Sequence, residues 1–214
     1  PRYQNDVGAF YKDGKTYLLA DISNNQTGDV ALIVYNPETG VWLNASKRNP
    51  VLFAKSKQIE VFGDYAAISC GNGFFVVYLG NLPQSVSVVQ EVIVDINGDD
   101  VPNDVNGLAF SEAGTELYVA TDDTAGSAII SYQFDSINGQ VTSILDVLMD
   151  PQFTGTTTRM SVYAALNRLY IPSRKGQLTE VDISNPSKLK IRSIWDNGGY
   201  RGEMQDARIY TFSG

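Results

Sequence analysis

Histidine is absent from this 214-residue sequence, and cysteine occurs only once. The lack of histidine excludes Ser-His-Asp and Cys-His catalysis, histidine-ligated metal sites and histidine proton shuttles built from this chain. The single cysteine, Cys70, has no partner for an intrachain disulfide, and its strand-like setting at 66–71 predicts a buried structural thiol. Chemistry by carboxylates, tyrosine or lysine remains open.

Basic residues are also scarce, since Lys and Arg total 16 against 24 Asp and Glu, for a net charge of -8. A surface that tracks phosphates needs clustered basic side chains, so we predict no nucleic-acid partner. No apolar run approaches the roughly 18–20 residues of a membrane helix, so we predict no membrane insertion. The sequence starts at Pro1 with neither Met nor a signal-peptide pattern, which predicts a processed product or a fragment.

The most informative feature that is present is a strand pattern that recurs about every 40–52 residues, a spacing typical of propeller repeats. Its copies are YLLA at 17–20, AAIS at 66–69, YVAT at 118–121, YIPS at 170–173 and YTF at 210–212. Val, Ile, Tyr and Phe dominate the apolar runs, and no stretch of ten or more residues shows a capped helical periodicity. We therefore predict an all-β fold, a β-propeller of about four four-stranded antiparallel blades plus the start of a fifth.

The repeat divides a single domain, 1–214, into blades at approximately 5–46, 56–95, 105–148 and 157–196, with a partial blade at 200–214. Asp13-Gly14 between two apolar runs is a strong signal for a tight hairpin. The fifth unit contains sequence for two strands, while 1–22 already supplies the inner two strands of the first blade. The two ends duplicate each other, so we expect a sector of a larger propeller.

Two segments resemble known propeller repeats. The sequence LTEVDISNPSKLKI at 178–191 resembles the LVIVD repeat, with a strand that ends in Asp, a Ser-Asn-Pro turn and a returning strand. The sequence NGLAFSEAGTELYVA at 106–120 is similar to the opening of YVTN-type blades. These resemblances imply a propeller fold and no particular activity.

The connection between the second and third predicted blades reads DINGDDVPNDVN, at 95–106. Oxygen atoms at alternating positions of a tight loop can surround Ca²⁺, which takes six to eight oxygen ligands. The segment resembles the calcium loops of dockerins, thrombospondin type 3 repeats and FG-GAP blades. This resemblance implies a structural Ca²⁺ ligated by Asp95, Asn97, Asp99, the carbonyl of Val101, and Asn103.

The segment also departs from the pattern of those calcium loops. Asp100 stands where they have Gly, and Asn106 stands where a bidentate carboxylate is usual. The alternative is an acidic surface loop in which Asn and Asp simply favour turn geometry.

Two sequons, at Asn25 in a polar loop and at Asn44 just past a predicted strand, are compatible with N-glycosylation. Unmodified polar turns are the alternative. Together with the acidic composition and the calcium-like loop, the sequons favour an extracellular or cell-surface location.

We therefore predict a non-enzymatic propeller that acts as an interaction or structural module of a larger protein, with a protein or glycan partner. One alternative is a propeller hydrolase or lyase that works through a cofactor or a ring of carboxylates near strand ends, at Asp21, Asp122, Asp182 and Asp206. The other is a lectin propeller that stacks sugars on aromatic side chains.

Overall fold

The computed structural model describes residues 2–3, 7–24, 29–48, 58–96, 104–123, 126–149, 161–163, 166–172 and 177–196. No helix among these residues is long and apolar enough to cross a membrane. The predicted start of a fifth blade at 200–214 lies outside them.

The described strands form four antiparallel sheets, which we call blades 1 to 4. Blade 1 contains β1 (Arg2–Tyr3), β2 (Val7–Lys12), β3 (Lys15–Asn24), β4 (Asp29–Asn36) and β5 (Val41–Arg48). Blade 2 contains β6 (Ile59–Phe62), β7 (Tyr65–Ser69), β8 (Gly73–Tyr78) and β9 (Ser87–Ile93). Blade 3 contains β10 (Asp104–Phe110), β11 (Glu116–Asp123), β12 (Gly126–Asp135) and β13 (Gln140–Met149). Blade 4 contains β14 (Ser161–Tyr163), β15 (Arg168–Pro172), β16 (Gln177–Asp182) and β17 (Lys190–Asp196).

Strand order follows chain order in blades 2, 3 and 4, which is the meander expected of propeller blades. In blade 1, β1 and β2 both pair with β3, so that together they form its inner edge. The inner strands β2, β6, β10 and β14 contact one another in sequence order. This arrangement confirms the predicted all-β propeller fold.

The first hairpin has the tight turn that Asp13-Gly14 predicts. Asp13 and Gly14 have φ values of 50° and 78° between β2 and β3, and Lys12 pairs with Lys15 across the turn. Positive φ at both central residues is the type I′ geometry, whose twist matches that of the flanking strands.

Each strand of blade 2 divides its side chains between two neighbouring blades. Ala66 and Ile68 pack in a cluster with residues of blade 1, whereas Ala67 packs with residues of blade 3. The alternation follows from the two-residue period of a strand, and burial of both faces explains the continuous apolar run. Blade 3 is packed in the same way between blades 2 and 4.

Polar contacts reinforce the packing between blades 2 and 3. The amide of Gln90, on β9, pairs with the main chain of Val141, on β13: it accepts the Val141 N–H at 2.8 Å and donates to the Val141 carbonyl at 3.1 Å. The Tyr65 hydroxyl donates to the carbonyl of Ile137 at 2.7 Å. Side chains of blade 2 thus form hydrogen bonds with main-chain groups in the outer half of blade 3.

Candidate functional site

The inner strands all begin at one end of the blades, which we call the upper face. There the β7–β8 turn of blade 2 holds both ends of the connection to blade 3. The Val94 N–H donates to the Asn72 carbonyl at 3.0 Å, and the Val105 N–H donates to the Gly71 carbonyl at 2.6 Å. The connection from β9 to β10 is therefore a loop whose two ends are closed at its base.

This closed connection contains the predicted calcium loop. Asp95 follows β9 and is half-buried, and Asp104 begins β10 with an exposed side chain. The predicted ligands Asn97, Asp99, Val101 and Asn103 lie outside the described residues. Within the described part of the chain, no group of three or more His, Cys, Asp or Glu is placed to hold a metal ion.

Asn106 lies inside the fold, at the position where the usual calcium loop ends. It is buried in β10, at a bulge between Val105 and Gly107 in the pairing with β11. A bulge leaves one residue of the strand out of register and re-aims the neighbouring side chains.

Buried polar groups line the inner strand of blade 2. The Gln58 N–H donates to the Ser69 hydroxyl at 2.9 Å, and the Gln58 side-chain oxygen accepts the Leu108 N–H, also at 2.9 Å. The Gln58 side-chain nitrogen donates to a carboxylate oxygen of Glu60, which is half-buried. Glu60 is thus a carboxylate held in a defined position on an inner strand.

Gln58 and Glu60 were not among the residues expected at a functional site. The signal that indicates them is their alternation with apolar Ile59 and Val61, which places both polar side chains on the same side of the chain at the start of β6. That they face blade 3 follows only from the tertiary contacts.

The hypothetical ring of carboxylates is not formed by the residues that the structure describes. Asp122 lies near the end of β11, a second strand, and pairs with Asp104 at the upper face. Asp182 lies at the end of β16, a third strand, and pairs with Arg168 at the start of β15. Because adjacent strands run in opposite directions, the two aspartates lie at opposite ends of their blades. Asp21 is on β3, which is second from the inner edge of blade 1, as β11 is in blade 3. Asp206 lies outside the described residues.

The carboxylates of blade 4 form ion pairs instead. Arg168 contacts Glu180 at 3.1 Å and Asp182 at 3.0 Å, and Arg192 is 3.8 Å from Glu180. The Ser184 N–H, which donates to Asp182 at 3.0 Å, is the main cause that lowers the pKa of Asp182. These contacts favour the charged form of Asp182.

Burial lowers the reactivity of the candidate nucleophiles and acids in the described core. Cys70 is a free, buried thiol, in agreement with its predicted structural role, and burial raises its pKa far above the usual range. Burial also raises the pKa of Tyr118, and it raises the pKa of Tyr132 to about 12. A thiol or phenol in such a setting stays protonated near neutral pH.

The structure places one of the two sequons. Asn44 lies within β5, in register with Ile33, and not past the end of a strand as expected. The strand continues beyond the apolar residues because β4 begins at Asp29 and offers main-chain partners as far as Arg48. Asn25 lies outside the described residues.

Four successive antiparallel sheets with adjoining inner strands define a β-propeller. Residues 155–197 match the model of the LVIVD repeat, which confirms the resemblance seen at 178–191. No curated protein matches the sequence.

Solved structures agree with this fold. The periplasmic gluconolactonase of Pseudomonas aeruginosa superposes with a TM-score of 0.72 at 15% identity, covering 97% of this chain and 56% of that one. A proposed 6-phosphogluconolactonase from Bacteroides fragilis gives 0.63 at 14% identity, covering 89% and 53%. A β-propeller domain from Myceliophteria thermophila gives 0.57 at 12% identity, covering 90% and 54%. The likeness at these identities shows the fold alone, and the chain spans little more than half the length of each structure.

Proposed function

We propose that this chain is a non-enzymatic extracellular or cell-surface propeller module that presents its upper face to a protein or glycan partner. The observation that carries the proposal is the closure of the acidic connection on the β7–β8 turn, through Val94 and Val105. A loop anchored at both ends by a rigid sheet is a common way to present a binding surface. Asp95 and Asp104 flank this loop and give it a negative charge.

Catalysis by the described core is less favoured, because several of its ionisable groups are buried or held in ion pairs. Cys70 and Tyr132 are buried with raised pKa values, and the carboxylates of Glu180 and Asp182 are paired with Arg168. Such groups are poor nucleophiles or proton donors near neutral pH.

Within this proposal, Ca²⁺ is a structural ion of the upper face. Its ligands are Asp95, Asn97, Asp99, the carbonyl of Val101, and Asn103, all oxygen donors of the kind that Ca²⁺ prefers. The ion offsets repulsion between carboxylates that lie close together in the sequence. It orders the loop without taking part in a reaction.

Thermal unfolding with and without Ca²⁺ tests this part of the proposal. We expect Ca²⁺ to raise the Tm of the wild type and to have a much smaller effect on Asp99→Asn. Glu112→Gln removes an exposed carboxylate from the β10–β11 turn, at the other end of blade 3, and keeps the full response. An equal response in wild type and Asp99→Asn contradicts the calcium site.

Location and partner class are tested on the protein isolated from its own cells. We expect an extracellular fraction, with a glycan mass on the peptide that contains Asn25 or Asn44. A glycan array probes the partner directly, and binding that weakens in Asp104→Asn supports recognition through the upper face. An intracellular, unglycosylated protein contradicts the proposed location.

Hydrolysis of a sugar lactone is the second candidate function. It is favoured by two similar solved structures, one described as a gluconolactonase and one as a proposed 6-phosphogluconolactonase, together with the position of Glu60 on an inner strand. There a carboxylate can act as a general base that activates water for attack on a lactone carbonyl. Turnover of glucono-1,5-lactone or its 6-phosphate that disappears in Glu60→Gln favours this function, and no turnover above the uncatalysed rate favours the module.

A further inference from the structure

The charges of this chain are divided sharply along its sequence. All 16 Lys and Arg residues lie outside 58–158, whereas this segment contains more than half of the 24 Asp and Glu residues. The segment supplies every described strand of blades 2 and 3. Where the side chains of its carboxylates are described, they are exposed or half-buried. The two adjoining blades thus form an acidic sector that has no cation of its own.

Within this sector the outer strands β9 and β13 meet along the outside of blades 2 and 3. Val92 on β9 pairs with Phe74, a residue of the core between the two blades. Val92 therefore lies on the side of β9 that faces blade 3, and it is half-buried against that core. The hydrogen bonds between Gln90 and Val141 join the two strands at the end away from the upper face.

The side of β13 that faces blade 2 is apolar and partly open to water. Ile144 and Val147 pair with Tyr132 and Ile130, which both pack against blade 2. Met149 lies two residues after Val147 and so shares this side of the strand. Val147 is half-buried, but Ile144 and Met149 are 53% and 49% exposed. We define the outer seam as Val92, Ile144, Val147 and Met149.

The other side of β13 shows that this exposure is not common to both sides of the strand. Leu148 is half-buried against the core between blades 3 and 4, together with Ile191 on β17. Leu189 is buried in the same core, and its N–H donates to the Asp146 carboxylate at 2.6 Å. These apolar residues are covered by the neighbouring blade, whereas the outer seam leaves two large apolar side chains open.

Carboxylates stand next to the outer seam on both strands. Glu91 precedes Val92 on β9, and Asp146 precedes Val147 on β13. Both carboxylates are half-buried, and their own blades contain no Lys or Arg. An occupant of the seam is therefore favoured when it brings apolar side chains for the open residues and positive charge for the surrounding carboxylates.

We propose that the outer seam binds a basic segment of another protein, in which Lys or Arg residues stand next to apolar side chains that pack on Ile144 and Met149. Nucleic acids and acidic glycans have the wrong charge for this surface, because its carboxylates repel them. The cores shared with blades 1 and 4 lie on the far sides of blades 2 and 3. The described basic residues of those blades therefore do not cover the seam, which is also separate from the upper face.

Fluorescence anisotropy with labelled synthetic peptides tests this assignment on the whole chain. The probe alternates Lys and Val; one matched peptide has Glu in place of every Lys, and another has Ser in place of every Val. We expect only the Lys-Val peptide to bind well, and to bind more weakly in about 1 M salt, where charges are screened within about 3 Å. Ile144→Ser and Met149→Ser should each raise its Kd about tenfold, because each removes an apolar contact.

Ile137→Ser is the matched control. Ile137 is 84% exposed in the same acidic sector but lies in the β12–β13 turn, outside the seam, so its substitution should leave the Kd unchanged. All three substituted side chains are exposed, and a Tm close to that of the wild type shows that each variant is folded.

Four results overturn the proposal. If the Lys-Val peptide does not bind the wild type, the seam is not a site for basic segments, and if the Lys-Ser peptide binds equally well, charge alone attracts it. An equal loss of affinity in Ile137→Ser places the peptide elsewhere. Self-association in analytical ultracentrifugation that Ile144→Ser abolishes identifies a second copy of the chain as the occupant. None of these outcomes depends on whether the upper face binds Ca²⁺, a glycan or a protein.

Discussion

The side-chain oxygen of Gln58, the residue before β6, accepts the main-chain N–H of Leu108 at 2.9 Å and so joins blade 2 to the inner strand of blade 3. Gln58 is buried, and its side-chain nitrogen is occupied by Glu60. One amide therefore accepts a hydrogen bond from the main chain of the next blade and orients a carboxylate of its own blade.

Gln58→Ala is expected to lower the free energy of unfolding by about 1–3 kcal/mol, because the Leu108 N–H loses its acceptor in a buried position. Urea unfolding measures the change. Gln84→Ala, at an exposed turn position, serves as the control and should stay within about 0.5 kcal/mol of the wild type. Equal effects of the two substitutions would show that the Gln58 contact contributes nothing to stability.

Two glycines of blade 3 allow aromatic rings of blade 2 to lie against the main chain. A Cβ on Gly114 would be 1.9 Å from the Phe62 ring, and one on Gly139 would be 2.1 Å from the Tyr65 ring. Gly40 has a similar φ of +70° but no atom within 4 Å of a Cβ. Gly40→Ala should therefore cost only the strain of a left-handed alanine, about 1–2 kcal/mol, while Gly114→Ala and Gly139→Ala cost more. If chemical denaturation gives the same loss of unfolding free energy for all three variants, the contacts with the Phe62 and Tyr65 rings add nothing to the cost.

Alkaline pH should destabilise the fold through Tyr132. Burial raises the pKa of Tyr132 to about 12, whereas an unfolded tyrosine ionises near pH 10. The stabilisation is complete below about pH 10 and is lost between about pH 10 and 12, because the unfolded chain ionises first. Tyr132→Phe retains the edge-to-face contact with Phe74 and should flatten the fall of Tm over this range. If Tyr132→Phe leaves the pH dependence of Tm unchanged, Tyr132 is not the group responsible for the loss of stability.

Low pH should destabilise the fold through Asp135, the last residue of β12. Its pKa is lowered, first by the side-chain hydrogen bond from Asn138 at 2.7 Å and then by the main-chain N–H of Ile137 at 2.9 Å. The contribution of a carboxylate with a lowered pKa is present above about pH 4, the unfolded value, and is lost as the pH falls through the folded one. We expect Asp135→Asn to reduce the loss of Tm below pH 4. The charge-matched control Glu112→Gln should leave that loss as it is in the wild type.

Cys70 should be chemically inert in the native protein. It is buried directly after β7. The thiolate is the form that attacks thiol reagents, and burial opposes its formation. Ellman's reagent should therefore react slowly at neutral pH and stoichiometrically after denaturation in guanidinium chloride. Rapid reaction of the native protein would show that this part of the upper face opens readily.

The strands and their hairpins could be predicted because their signals are local. Asp13-Gly14 supplies the positive φ values of a type I′ turn, and the run at 66–68 is apolar because both faces of β7 are buried. The repeat then indicates the propeller, since blades of this kind bury their faces against one another. The calcium ligands and the two sequons remain predictions, because their chemistry depends on ligands or modification and not on strand pairing.

Contacts between distant residues could not be predicted in the same way. Nothing near Gln58 in the sequence points to Leu108, and Asp122 and Asp182 read alike although strand direction places them at opposite ends of their blades. Likewise, Leu18 and Ile68 occupy similar strand patterns, yet Leu18 is exposed and Ile68 is buried.

By itself the sequence determined the strands, their turns and the repeated blade, because alternation and turn chemistry act over a few residues. Only the tertiary structure decided which polar groups meet across blades, which carboxylates are paired and which apolar face is left exposed. Those outcomes depend on the direction and stacking of whole sheets, and a side chain's partner then comes from a blade tens of residues away.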